Sequence, residues 1–223
     1  MAYILQIETT TQQCSVALSY QGKTFMLKEE RSMGYSHSEK LHVFIHSLLE
    51  EGAFSWNQID AIAVSKGPGS YTGLRIGIAA AKGLCYALEI PLISVNTLDL
   101  MAQAVNVDNG YIIPMLDARR MEVYTAVYDY QKEKVFSTSA IVLNSESFLD
   151  IVASNTCLVI GNGAAKFEGL SPKIKAIFDC ELYPSASDMS QLVWEKFKKN
   201  EVEDIAYFEP FYLKDFQTTP PKK

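Results

Sequence analysis

The residues with the most chemical potential lie in one run, Ser65-Lys66-Gly67-Pro68-Gly69-Ser70-Tyr71-Thr72-Gly73-Leu74-Arg75. A strand leading in, glycines that admit close backbone approach, and a helix N-terminus behind them are the parts of an anion cradle. It is not a Walker A loop, because no Gly-Lys-Ser/Thr closes it. Read alone, a tight glycine-rich strand-to-helix turn accounts for it slightly better. Glu8 and Asp117 each end an apolar strand. Together they could hold a metal or orient a water if a nucleotide lay between them, and the plainer reading is a polar residue at each strand end. On the nucleotide reading the contacting set is Glu8, Thr9, Gly67, Gly69, Ser70 and Asp117. His42 and His46 stand one helical turn apart, a common ligand spacing, yet Val43 occupies the place of a metalloprotease's glutamate base. With His37 the only other histidine, they read as surface or packing residues, and no metal site is expected. No Ser-His-Asp or Cys-His arrangement can be assembled.

The elements that must position these residues are well punctuated. Tyr3–Ile7, Ser15–Tyr20 and Thr24–Glu29 read as strands. Ser36 and Glu39 form a capping box for a helix that ends at Glu51, with Gly52 at the expected left-handed stop. Leu41, Phe44, Ile45, Leu48 and Leu49 make one apolar stripe along it. A strand at Ile59–Val64, a helix at Thr72–Leu88 and a strand at Pro91–Val95 follow. Gly73, Gly77 and Gly83 lie inside that second helix, where each glycine costs about 1 kcal/mol against alanine. They therefore ask for close approach of another backbone, either the chain's own first helix or a partner's.

The second half repeats the opening. Tyr111–Asp117 echoes Tyr3–Glu8 as an apolar strand ending in a carboxylate, followed by strands at Val123–Tyr130 and Lys134–Leu143. A helix at Ser147–Ser154, a strand at Cys157–Ile160, the turn Gly161-Asn162-Gly163 and a last helix from Ser187 complete the pattern. A β-β-β-α-β unit used twice predicts an α/β protein of the actin/Hsp70/sugar-kinase-like (ASKHA) architecture, two lobes facing a cleft. Chance likeness of two amphipathic hairpins is the alternative. The expected lobes are residues 1–105 and 106–217, with 218–223 a disordered tail.

Bulk properties narrow the function. The 223 residues carry 20 Lys and Arg against 26 acids, a net charge of −6. An acidic chain approaches a polyphosphate poorly, so nucleic acid is expected on another chain. The four cysteines form no C-x-x-C pair and read as buried thiols of a reducing compartment. No apolar run approaches the ~20 residues that span a bilayer. A cytoplasmic protein without membrane contact is expected.

Ser65–Gly77, Ala81-Lys82-Gly83-Leu84 with Ile90–Leu98, Leu116-Asp117-Ala118-Arg119 with Glu122-Val123-Tyr124, Gly161–Ala164 and Pro210–Leu213 resemble the TsaB (YeaZ) family over nearly the whole chain. The resemblance implies a non-catalytic relative of TsaD, the subunit that attaches a threonylcarbamoyl group to N6 of adenosine 37 in tRNAs reading ANN codons. It implies pairing with TsaD, a larger assembly with the ATPase TsaE, a homodimer when alone, and only indirect contact with tRNA. It implies no intrinsic cofactor, with ATP or ADP at the subunit junction as a further expectation. Pairing in the family uses the two N-lobe helices. That nominates Tyr35, His37, Leu41, Phe44, Ile45, Leu48, Tyr71, Gly73, Arg75, Gly77, Ala80 and Ala81 as partner-binding, with Tyr35, Tyr71 and Arg75 as anchors. TsaD carries two metal-binding histidines where this chain has Thr97 and Met101. A hydroxyl and a thioether do not replace two imidazoles. Glu8 stands where the family has aspartate, and Lys214 where arginine is usual. Two rival readings remain at this stage: an active nucleotide-dependent ASKHA transferase, and a peptidase.

Overall fold

A computed structural model describes residues 2–32, 37–152, 155–170 and 176–214. Five strands, β1 (Tyr3–Glu8), β2 (Gln13–Tyr20), β3 (Lys23–Arg31), β4 (Ala61–Gly67) and β5 (Leu92–Asn96), form a first sheet of order β3-β2-β1-β4-β5. The hairpin partners β1–β2 and β2–β3 are antiparallel, whereas β1–β4 and β4–β5 are parallel. The parallel pairs need crossovers, and helices α1 (His37–Glu51) and α2 (Tyr71–Leu88) supply them. Helix α3 (Thr97–Gln103) leads out.

The second sheet repeats this plan. Strands β6 (Tyr111–Asp117), β7 (Glu122–Asp129), β8 (Lys134–Val142), β9 (Cys157–Ile160) and β10 (Ala176–Asp179) take the order β10-β9-β6-β7-β8, with helices α4 (Leu149–Val152) and α5 (Ala164–Leu170) between them. Strand for strand, the two sheets share order and direction. The expected two-lobed duplicated α/β architecture is the one observed.

Period-two alternation along β1 sorts its side chains to two cores. Leu5 and Ile7 join Leu41, Ile45, Leu48, Leu74 and Ile78 beneath α1 and α2. Ile4 turns to the opposite face, with Ile93, Leu98, Met101, Ile112 and Ile160 between the two sheets. A third cluster around Phe167 closes the far side of the second sheet. Each large aliphatic side chain buried this way contributes about 2 kcal/mol.

Several boundaries move. Ser36, and with it the capping box, lies outside the described residues, as do Ala153, Ser154 and the tail 218–223. Gly52 is not the left-handed stop; Ala53 is, at φ 54°. The glycine is required for space, since a Cβ there would sit 2.6 Å from the Met26 sulfur. Ser187 falls in a 3-10 turn, Ala186–Met189, and helix α6 (Ser190–Lys198) starts three residues later. Helix α5 and strand β10 were not anticipated; their few apolar residues give too short a period to read.

The chain from Glu181 onward returns to the first sheet rather than staying with the second, as the range 106–217 would have it. Gln6, buried in β1, donates to the Ser19 hydroxyl at 2.6 Å and accepts from Ser190 at 3.0 Å, which ties the start of α6 to the sheet. Glu203 donates its N–H to the Leu92 carbonyl at 2.8 Å, and Phe211 donates to the Lys66 carbonyl at 2.7 Å. The pull is apolar as well: Val193, Phe208 and Ile205 pack where the first sheet and α2 leave gaps.

Candidate functional site

Five of the six nucleotide candidates lie where the first hairpin meets the head of α2, and their contacts there are with other residues of the chain. Glu8 is fully buried at the end of β1. Its carboxylate accepts from the Thr10 N–H and hydroxyl, both at 2.5 Å, and from the Ser65 hydroxyl. Burial outweighs these bonds and, with Asp188 nearby, pushes the carboxyl up to about 7. Ser70 donates its N–H to the Thr10 carbonyl at 2.7 Å. Thr9 donates its hydroxyl to the Gly73 carbonyl at 2.8 Å.

The glycines record the same contact. A Cβ on Gly69 would lie 2.6 Å from Thr10, one on Gly73 2.0 Å from the Thr9 carbonyl oxygen, and one on Gly77 2.3 Å from the Thr9 hydroxyl. Gly67 sits at φ +114°, its would-be Cβ 2.8 Å from the Phe211 carbonyl. The cradle at the head of α2 is therefore filled by the first hairpin and by the returning C-terminal segment. Asp117 stands apart: it is exposed, accepts from Lys166 at 2.8 Å and from the Arg119 N–H at 2.6 Å, and has no contact with Glu8 among the described residues.

The partner-binding candidates split by burial. Leu41, Ile45, Leu48 and Ala81 are core residues under the first sheet. Gly73 and Gly77 face the chain's own Thr9, so the intramolecular explanation holds for both. His37 is buried, its Nε2 2.7 Å from the Thr11 carbonyl oxygen, and burial holds its pKa down. None of these seven can touch a second protein without rearrangement. Tyr35 lies outside the described residues. Arg75 is exposed and Phe44, Tyr71 and Ala80 are half-buried.

What α1 and α2 do present outward is Val43 with Phe44, and Ile76, Ala79, Ala80, Gly83, Tyr86 and Ala87. Val43, Ile76, Tyr86 and Ala87 were missed. The signal was available as the helical complement of the buried stripe, offset by about half a turn. At the head of α2, Arg75 lies 4.1 Å over the Tyr71 ring and donates to the Tyr212 hydroxyl at 3.1 Å, with the two tyrosine rings 5.1 Å apart.

The remaining chemical candidates lie apart. His42 and His46 are exposed, and His46 is 3.6 Å from Glu50. Thr97 and Met101 are fully buried on α3. Among the described residues no three His, Cys, Asp or Glu side chains come together to hold a metal ion. The thiols of Cys14, Cys85 and Cys157 are free and buried, and burial pushes them up to about 11, 12 and 11. No described helix is long and apolar enough to cross a membrane.

One feature escaped the sequence reading: the turn between β6 and β7. Arg119 and Arg120 both adopt left-handed backbone, φ 67° and 50°. For residues bearing a Cβ this costs roughly 1–2 kcal/mol each. Bonds from Glu122 N–H to Arg119 (3.2 Å) and from Ala118 N–H to Glu122 (3.1 Å) hold the turn.

Residues 31–219 match the family model described as TsaD: tRNA N6-adenosine threonylcarbamoyltransferase. The tRNA threonylcarbamoyladenosine biosynthesis protein TsaB of Escherichia coli K12 is 31% identical, over 95% of this chain and 94% of the relative. Its namesake from Haemophilus influenzae is 29% identical over 95% and 93%. The solved structure of YeaZ from Pseudomonas aeruginosa superposes with a TM-score of 0.80 at 30% identity, covering 96% of this chain and 100% of that one. At 10% identity and a TM-score of 0.50, the ethanolamine utilization protein EutJ of Carboxydothermus hydrogenoformans and a dehydratase activator of Clostridium difficile share the fold alone.

Proposed function

The chain belongs to the TsaB family, whose members are named for tRNA threonylcarbamoyladenosine biosynthesis, and from that premise we propose that it is a non-catalytic partner subunit that binds and activates the catalytic subunit TsaD. The observation that carries the proposal is the outer surface of α1 and α2. Gly83 has open space around the position a Cβ would take, so nothing within the chain requires a glycine there. Together with exposed Ala79 and half-buried Ala80 it leaves a flat stripe on which another helix can approach closely, beside Val43 and Phe44. Helices that meet at such stripes pack with axes 8–10 Å apart.

The catalytic subunit, on this reading, carries the metal and the threonylcarbamoyl transfer. TsaE joins the pair, and copies of this chain associate with one another when TsaD is absent. Nucleotide, where present, sits at the subunit junction rather than in the filled cradle of this chain, and the assembly works in the cytoplasm. Light scattering of this chain mixed with its TsaD tests the central claim. A complex is expected at micromolar concentration, weakened more than tenfold by Ala79→Glu or Val43→Glu without loss of folding. Two separate species at that concentration would overturn it.

The rival transferase reading draws on Glu8, Asp117 and the Gly67–Ser70 loop. Titration calorimetry with ATP and magnesium discriminates: low-micromolar binding to the isolated chain, lost in Asp117→Ala, would favour the enzyme.

A further inference from the structure

The turn between β6 and β7 concentrates positive charge that the net total hides. Of the four arginines in the chain, Arg31 pairs with Glu181 at 2.7 Å and lies over Tyr183. Arg75 is held by Tyr71 and Tyr212. Arg119 and Arg120 are exposed neighbours, and among the described residues neither guanidinium makes an ion pair, a hydrogen bond or a ring contact, although the Arg119 charge acts on the nearby Tyr124 phenol. Two lysines from remote segments converge on the same turn. Lys166 of α5 reaches the Asp117 carboxylate at 2.8 Å and the Glu122 carbonyl at 3.0 Å. Lys214 reaches the Glu122 carboxylate. Four cations against two carboxylates leave two charges in excess, on a chain whose total is −6. The lysines occupy the very acids that could neutralise the arginines.

We propose that this turn contacts the phosphodiester backbone of RNA, with Arg119 and Arg120 as the phosphate-binding side chains. A guanidinium fork matches phosphate oxygens in pairs. The left-handed backbone at both residues, where glycine or asparagine would be unstrained, holds two consecutive long cations at the tip of a rigid hairpin. Exposed Met121 adds an apolar surface between them and the sheet. The contact departs from the expectation that another chain alone would hold nucleic acid. That expectation averaged charge over the whole sequence, whereas counterion release depends on local clustering. The proposal rests on the partner-subunit reading above.

The test is fluorescence anisotropy of labelled, folded tRNA with the complex of this chain and TsaD, over a salt series. Arg119→Glu/Arg120→Glu is expected to weaken binding at least tenfold and to lower the slope of log affinity against log salt by about 1.5. The Arg119→Gly/Arg120→Gly chain relieves the backbone, so its Tm should not fall below the parent's, yet its RNA affinity should drop likewise. Lys198→Glu/Lys199→Glu, at the exposed end of α6, should leave affinity unchanged. Unchanged affinity and salt slope in both arginine variants would overturn the proposal, as would equal loss in the α6 control. Loss of the complex on charge reversal with RNA affinity intact would also overturn it, assigning the turn to a protein contact. Scattering on the same samples keeps the two readings apart, because failure to form any complex with the unaltered chain strikes the partner reading first.

Discussion

Glu8 shows how one side chain can keep a position and change its role. At the end of β1, facing the space between the sheets, a carboxylate could serve an open cleft. Here it is buried under Thr10 and Ser65. Its folded pKa of about 7 lies above the ordinary value of 4.5, so the native state holds a proton that the unfolded chain releases. Its stabilising effect is therefore complete below about pH 4.5 and is lost as pH rises through 7. The loss is on the order of 3 kcal/mol. Asp188, raised from 3.8 to about 6 by burial, acts in the same direction over a lower window. Because His37, held down by burial, acts in the opposite direction below about pH 6.5, the test is the difference: between about pH 5 and 8 the urea midpoint should fall more in the parent chain than in Glu8→Gln. An identical slope in Glu8→Gln would show that the Glu8 proton is not what folding takes up.

At the scale of the element, α2 separates its three interior glycines by cause. Gly73 abuts the Thr9 carbonyl, a backbone atom that cannot turn away, whereas Gly77 meets a hydroxyl that can rotate, and Gly83 meets nothing. Gly73→Ala should destabilise the chain by about 2 kcal/mol, as overpacking against rigid neighbours does. Gly83→Ala should stabilise it by up to about 1 kcal/mol through helix propensity alone. The same Gly83→Ala change is expected to weaken TsaD binding, because a methyl group then stands on the stripe. Chemical denaturation of both variants, with TsaD titration of the second, reads all three effects. A Gly83→Ala chain that is more stable and binds TsaD as before would remove that residue from the docking stripe.

At the scale of the molecule, two sheets of the same plan are joined by a shared apolar layer and by a chain that crosses back. From Glu203 to Lys214 it runs along the edge of β5, over the Gly67 loop, past Tyr71 and Arg75, and ends against Glu122 of β7. Phe208 is its buried anchor, and Lys82 donates to the Phe208 carbonyl at 3.0 Å. Phe208→Ala should cost about 3 kcal/mol. Since the same segment fills the cradle at the head of α2, that variant should also expose the Gly67 loop to hydrogen exchange. Unchanged protection there would mean the loop is held by the hairpin alone.

The strands, the two long helices and the repeated plan were legible because each depends on local periodicity, and apolar residues at spacings of two or 3.6 leave little freedom. The family was legible by a different route, from the resemblance carried by Ser65–Gly77 and by Leu116-Asp117-Ala118-Arg119 with Glu122-Val123-Tyr124. Which face of α1 and α2 stays outside was decided by the sheet they cover, and this is why Leu41, Ile45, Leu48 and Ala81 fell to the core while Val43 and Ala79 remained exposed. Contacts across long sequence separations were equally beyond reach of spacing. Thr9 against Gly73, Phe211 over Gly67, and Lys166 with Lys214 at the Arg119–Arg120 turn exist only once the chain is folded. Periodicity records which side chains share a face; only the packed chain fixes what that face meets.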